Sequence, residues 1–579
     1  MRCPANPVQL PSGDPAARAR LRRVKGSVGA LLSFHLVAAS CLAAPDPSPP
    51  TMAGERIYRD GTLSTGAPVQ GARAPLPAVQ GAAAACANCH RRSGLGEIEG
   101  RPLIPAITAR YLYRPRSRDR PGNLENAALT MAMPGARPEV LQQTDRIAYT
   151  DATLARAIRE GIGPDGHPLD SLMPRFRIGD ADMASLIEYL KQLSKRPSPG
   201  VGKDTLQFAT IVTADADPVK QRGMLDVLEH FFGKDNVFSA GNGPPLQVSR
   251  KFVPIAHRWQ LHVWELTGPP ESWEAQLDER LRREQVFAVI SGIGGRTWEP
   301  VHRFCERSGL PCLFPNVDLP VVAEQDFYDV YLSKGVLLES KLMADRLLHP
   351  GPTREASPAA VRRVVQVYRR DDIGAQAAAE LRRALPALAF EAVDRALEPG
   401  ADGARLRQAL DTAAGDELVL WLRPDDLQLL PAQPPAAAEV FVSGVMGGLE
   451  RAPLAGPWRQ IARMTYPFDL PDRRRGRLNY PLGWMRFKQI PVVDERIQTD
   501  TYLTCLVVAE TISLMHEDLV RDHLVETLEM HLGTHLVNGY YPRLGLAPGQ
   551  RFASKGGFLV RFADPQGARV VPDGDWSVP

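Results

Sequence analysis

Two cysteines, Cys86 and Cys89, stand three positions apart in "CANCH", and His90 follows the second directly. The chain has only 7 cysteines in 579 residues, and chance would supply this triplet about 0.002 times at this composition. Two thiols at this spacing reach the two vinyl groups on one edge of a porphyrin and form thioethers, and the next residue falls beneath the iron with an imidazole. Cys-x-x-Cys-His is the attachment motif of a c-type haem. A redox Cys-x-x-Cys sits in a thioredoxin-like βαβ pattern, and half a zinc site needs a second ligand pair nearby; neither accompanies these residues. One covalently bound haem c is therefore expected on Cys86 and Cys89, with His90 as the proximal iron ligand.

An iron held this way has a sixth position. Downstream runs "REGIGPDGHPLDSLMPRFRIGDADMASLIEYLKQL", residues 159–193. Its second half reads as a helix with Asp180 or Asp182 as cap and an apolar stripe at Met183, Leu186, Ile187, Leu190 and Leu193. The stretch resembles the distal half of a class I cytochrome c, and "GERIYRDG" at 54–61 resembles that family's first helix and turn. The resemblance covers about residues 52–195 and implies an all-α cytochrome domain with Met173, in Met-Pro, as the axial methionine. Met133, in "TMAMPGARP", also precedes a proline but lacks the closing helix, and His167 is a third candidate that a polar loop would leave solvated. His/Met ligation closes both axial positions and raises the potential, which implies electron transfer rather than haem catalysis, and not an enzyme.

The elements beyond these residues change character. "SKRPSPGVGKD", 194–204, reads as a linker carrying few cross-contacts, so the remainder is expected to fold alone. After it, strands such as "LQFATIVTAD", "VFAVISGIGG", "VRRVVQVYRR" and "DELVLWL" alternate with helical segments at short intervals. This pattern predicts parallel sheets covered by helices. Two such α/β lobes resemble a type I periplasmic binding protein of the branched-chain amino-acid type. The match runs over roughly 205–579, in "VFAVISGIGGRTWEPVHRFCERSGLPCLFPN" and in a C-terminal hairpin near "GGFLVRF".

Ligands of such folds bind beyond the carboxyl ends of strands, between the lobes. Candidate ligand-binding residues there are Thr213, Asp215, Ser291, Gly292 and Gly294, with Tyr368 and Arg369 across the cleft; ordinary turn chemistry accounts for them equally well. Cys305 and Cys312 bracket a helix end and the next strand, and are a candidate disulfide in an oxidising compartment. Cys505 reads as an inert core thiol. "HEDLVRDHLVETLEMHLGTH", if one helix, spaces His523 with Glu526 and His531 with His535 for metal, but a solvated or partner-facing stripe explains it better.

The whole chain sets the compartment and the excluded classes. A formal charge of +3, with no basic run interleaved with aromatics, argues against nucleic acid; "DRRRGR" at 472–477 reads as a solvated loop. Basic residues up to Lys25, then "SVGALLSFHLVAASCLAA", read as an export signal cleaved near Ala43 or Ala44. Cys41 is a candidate for lipidation although Ala38 stands where Leu is usual. Val24 is an alternative start that would leave a more compact signal. No second segment is apolar enough to span a membrane. The sequence thus describes a periplasmic electron-transfer cytochrome fused to a small-molecule-binding module. Its expected partners are a redox protein, such as a periplasmic dehydrogenase or oxidase, and a cleft ligand. A ligand sensor, or a transporter-type binding protein with a redox-reporting haem, is the alternative.

Overall fold

The structure is a computed structural model that describes residues 49–98, 103–115, 145–233, 246–248, 251–253, 257–323, 326–350, 361–515, 518–534 and 539–579. Val24, Cys41, the Ala43–Ala44 cleavage site, Met133, His516 and His535 lie outside the described residues.

The first domain is built on two crossed helices, Pro49–Asp60 and Asp180–Gln192. They meet at Gly54, where a Cβ would come 2.1 Å from the Ser185 carbonyl oxygen, so only a hydrogen lets the backbones touch. Met183, Leu186, Ile187, Leu190 and Leu193 are buried, as their spacing predicts, against Ile57, Tyr58 and a third helix, Asp151–Glu160. That third helix begins in a capping box between Thr150 and Thr153 and ends on Gly161 at φ 71°. The expected aspartate cap on the closing helix is not made. Gly179 holds the N-cap position, while Asp180 pairs with Arg159 and Asp182 accepts from the Ser64 amide.

This domain is not all-α. β1 (Gln70–Arg73) pairs antiparallel with β2 (Leu76–Gln80), and β3 (Glu97–Ile98) pairs with β4 (Leu103–Ile104). β5 (Arg175–Arg177), directly after Met173-Pro174, joins the other edge of β1. Phe176 turns inward between two arginines, a period of two that a helix-period reading passes over.

The second domain has two lobes. In the first, β6 (Thr205–Val212), the hairpin β7 (Leu246–Val248) and β8 (Lys251–Val253), β9 (Arg258–Glu265), β10 (Ala288–Ile290), β11 (Cys312–Leu313) and β12 (Asp329–Val330) follow in sequence. All but the hairpin form one parallel sheet in the order β12-β11-β10-β6-β9. β13 (Arg362–Arg369), β14 (Phe390–Leu397), β15 (Glu417–Trp421), β16 (Glu439–Val442), β17 (Ala462–Tyr466), β18 (Phe558–Phe562) and β19 (Val570–Pro572) form the second sheet, ordered β14-β13-β15-β16-β17-β18-β19. It is parallel as far as β17, and its last two strands are antiparallel. Near-continuous burial of β6, β10 and β15 is what strands covered on both faces require.

The chain passes between lobes after β12, returns through the helices Pro471–Phe487, Glu495–Met515 and Arg521–His531, and crosses again to β18. "DRRRGR" lies in the first of these helices rather than in a solvated loop. Arg474 is buried there, donates to the Asp469 carbonyl at 2.8 Å and pairs with Glu450 at 2.9 Å. The histidine-bearing segment is two elements, because the long helix ends at Met515 and the next begins at Arg521. Cys505 is a buried, free thiol.

The 194–204 segment is packed rather than loose. Ser198 bonds the Leu519 carbonyl and the Arg521 amide, and Gly200 lies so close to the Val286–Phe287 backbone that a Cβ would come 2.1 Å from the Phe287 nitrogen.

Candidate haem site and interlobe cleft

Cys86 precedes the short helix Ala87–His90, and the His90 amide donates to the Cys86 carbonyl at 2.9 Å. This turn sets thiols and imidazole on one side of the backbone. His90 is buried, and its Nδ1–H donates to the Pro105 carbonyl at 2.9 Å, which leaves Nε2 as the lone pair to offer iron. Burial lowers the imidazole's pKa, outweighing the Pro105 bond, and keeps it in the neutral form that ligates metal. Gly96 is required here: at φ 74° its Cβ would lie 2.2 Å from the Ile104 carbonyl oxygen, so a side chain would push away the strand that carries Pro105.

Burial pushes the Cys86 thiol up to about 12. A catalytic redox cysteine needs its thiolate stabilised, and this environment does the reverse; thioether formation to a porphyrin consumes neutral thiol and suits an apolar wall. Cys86 and Met173 both border the core formed by Tyr58, Leu154, Ile158 and Leu186. The donor set and its surroundings fit haem c.

Arg175 fixes the loop that carries Met173. Its guanidinium donates to the carbonyls of Leu169 at 3.0 Å, Asp170 at 3.3 Å and Met173. His167 is an exposed side chain beside Asp165, away from this core.

Residues just after His90 contact the second domain; both domains lie in one compact unit, Ser48–Pro579. Arg91 turns at φ 66°, held by Tyr58 Oη–H on its carbonyl at 2.6 Å. Its guanidinium pairs with Glu97 at 3.2 Å and with Glu529, which also holds Arg551. The Ser93 amide and hydroxyl donate to Glu526, and Arg59 and Tyr328 hold Asp522. Arg110 and Tyr111 reach Asp518 at 3.0 and 2.8 Å. These acids stand on or just before the helix Arg521–His531, so the expectation of few cross-contacts is overturned. His523 Nδ1 stands 3.9 Å from Glu526, a carboxylate already bonded to Ser93, and His531 Nε2 bonds the Thr511 hydroxyl.

The interlobe cleft opens at the carboxyl ends of strands, as expected, but at β11, β12, β16 and β17. Asn316, Asp318, Ser333, Arg496, Asp500 and Tyr541 are among its lining. Arg496 pairs with Asp318 at 3.0 Å and lies 3.8 Å from Asp500, and Arg423 reaches Asp318 at 3.5 Å. Burial raises Asp318, but Lys220, Arg496 and Arg423 outweigh it and hold the carboxyl at about 2. Burial pushes Asp500 up to about 7 against the pull of Arg496. The enclosed space suits about one or two water molecules, since these groups fill the cleft with one another.

The candidate residues read from the sequence do not line this pocket. Thr213 and Asp215 bond each other at 2.6 Å, and Asp215 also accepts the Arg296 amide. Ser291 donates to Thr501 and accepts from Asn316 at 3.0 Å, so it backs the wall. Gly292 and Gly294 pack under Trp298. Tyr368 is half-buried, and Arg369 is bound to Asp426 and the Ala401 carbonyl. The pocket lies at the carboxyl ends of strands, and β13, which carries Tyr368 and Arg369, does not contribute to its lining. The signal that could have found the pocket is Arg496 and Asp500, opposite charges four apart at the start of a long, mostly buried helix. Cys305 and Cys312 are adjacent, buried free thiols in the structure, with a hydrogen bond between them.

The family model for cytochrome c matches residues 79–194, a span that holds Cys86, Cys89, His90 and Met173. Solved structures similar to the chain include a fatty acid ABC transporter substrate-binding protein from Thermomonospora curvata (12% identity, 66% of this chain and 95% of that one, TM-score 0.46). A branched-chain amino acid ABC transporter protein from Thermus thermophilus with bound valine is also similar (12%, 65% and 97%, TM-score 0.45). So is a possible leucine/isoleucine/valine-binding protein from Rhodopirellula baltica (13%, 64% and 97%, TM-score 0.44). A search of curated proteins gives no match. Residues 79–194 thus form a cytochrome c domain whose Cys86, Cys89 and His90 are the attachment residues of a covalently bound haem c, and the chain beyond it is a two-lobed α/β domain.

Proposed function

We propose that this protein is an exported, periplasmic electron-transfer cytochrome whose haem iron is ligated by His90 and Met173, with a small-molecule-binding domain fused behind it. The observation that carries the reading is the His90 Nδ1–H bond to Pro105, which fixes the tautomer and aims Nε2 away from the backbone. Met173 on the same core supports a closed, six-coordinate iron. Haem c supplies a one-electron couple when bound; this chain's residues hold it, exclude water from one face and set the ligand field.

The test is spectroscopic. Ferric protein should show the weak near-infrared sulfur-to-iron band. Met173→Ala should remove it and let carbon monoxide bind the ferrous form. If Met133→Ala does this instead, the wrong loop has been assigned.

A second reading, a redox-reporting ligand sensor, rests on one observation. The residue after His90 is tied through Glu529 to the helix that follows the cleft helix Glu495–Met515. Paired charges of both signs in the cleft suit a zwitterionic or hydrogen-bonding ligand, admitted when the lobes part. A midpoint potential that shifts when amino acids are added supports the sensor; an unchanged potential despite binding leaves electron transfer alone.

A further inference from the structure

We propose that Cys305, Cys312 and Asp329 form a buried site for one thiophilic metal ion of the zinc type, separate from the haem iron. Cys312 and Asp329 are register partners on the parallel strands β11 and β12, so their side chains leave the same face of the sheet. The helix Glu299–Arg307 carries Cys305 and is buried on its Cys305 side. The two sulfurs and a carboxylate oxygen all lie within 4.8 Å of one another, and all three residues are fully buried. Donors around a tetrahedral zinc with sulfur bonds near 2.3 Å stand roughly 3.2–3.8 Å apart, so a small closure brings them onto one ion.

A second observation points to a cation. No N–H or O–H donor reaches either Asp329 oxygen, although the side chain is wholly enclosed; of side chains, the Glu306 carboxyl comes within hydrogen-bond reach. A buried carboxyl group without hydrogen bonds costs several kcal/mol. The surrounding donors are spent elsewhere: the Phe327, Tyr328 and Asp329 amides all bond Glu306. His302, one turn before Cys305, is held by Tyr331 at 2.8 Å and Asp326 at 3.0 Å, and stands 3.6 Å from Asp329 Oδ1. Two thiolates and one Asp329 oxygen supply three donors, and the fourth position of the ion is left to a water molecule. Arg521, which bonds the Gly309 carbonyl in the turn between the cysteines, offsets the excess negative charge.

The holoprotein, purified without chelator, should contain one zinc-type ion per chain beyond haem iron by elemental mass spectrometry. Both thiols should resist alkylation until a mercurial releases the metal. Asp329→Asn and Cys305→Ser should each lose that ion while the haem spectrum stays unchanged. An intact mass 2 Da low with a Cys305–Cys312 cross-linked peptide overturns the proposal. So do free thiols that take up no zinc when zinc sulfate is added, or an ion retained by both variants. If the variants fail to fold, the metal content and thiol state of the unsubstituted protein decide alone.

Discussion

Met173 is a loop residue, and one guanidinium holds its loop. Arg175 bonds three carbonyls around it, each worth about 1 kcal/mol net, so Arg175→Leu should loosen the loop by about 2–3 kcal/mol. The ferric near-infrared band should weaken and carbon monoxide binding appear, with both thioethers intact by mass; an unchanged spectrum would give the role to β5 pairing instead. Asp318 makes a separate prediction from its depressed pKa of about 2. A carboxyl lowered in the folded state contributes full stability above its unfolded pKa, near 4, and loses it as pH falls toward 2; the contribution is about 2–3 kcal/mol. Melting from pH 6 down to pH 2.5 should therefore fall more steeply for the unsubstituted protein than for Asp318→Asn, and parallel curves would refute it. These two sites differ in how far the sequence discloses them. Covalent attachment forces Cys86, Cys89 and His90 to be contiguous, so their chemistry is written in their spacing. Asn316, Asp318, Arg496 and Tyr541 meet only after the chain has crossed between lobes, and no local pattern records that meeting.

Among the elements, most strands and helices of the lobes were legible because burial on both faces leaves plain apolar runs, as in β6, β10 and β15. β5 and the turns around it were not, because three residues carry too little periodicity. The helix Arg521–His531 was only half legible: its stripe reads as solvated or partner-facing, and its acids face the cytochrome domain. Glu529 is the test of that surface. It sits between Arg91 and Arg551, and Glu529→Gln leaves two buried cations short of a partner, a loss of about 3–5 kcal/mol. Removing the anion that pairs with Arg91, the neighbour of the haem ligand His90, also destabilises ferric iron relative to ferrous, so the midpoint potential should rise. Differential calorimetry and redox titration read the two effects separately; a lowered melting temperature with an unmoved potential would make the contact structural only.

At the scale of the molecule, the two domains have separate cores but one shared polar seam. Ile57, Tyr58, Leu154 and Leu186 close the cytochrome core without help from the lobes, so a fragment of residues 49–195 should mature with covalent haem. A fragment of residues 204–579 keeps both sheets and should fold, but with Asp518, Asp522, Glu526 and Glu529 facing water on the exposed seam. Its melting temperature should fall relative to the whole chain, because charges arranged to meet Arg59, Arg91, Arg110 and Ser93 are left to repel one another. Mixed at micromolar concentration, the fragments should associate and recover that stability. The affinity should drop as salt rises, since charge pairs dominate the seam, although Arg92 stacked on Phe327 at 4.2 Å supplies a contact that salt does not screen. Titration calorimetry at two ionic strengths measures this directly. Fragments that ignore each other at low salt would mean that the covalent link alone keeps the domains together. Association that is indifferent to salt would shift the weight from the ion pairs to the aromatic contact.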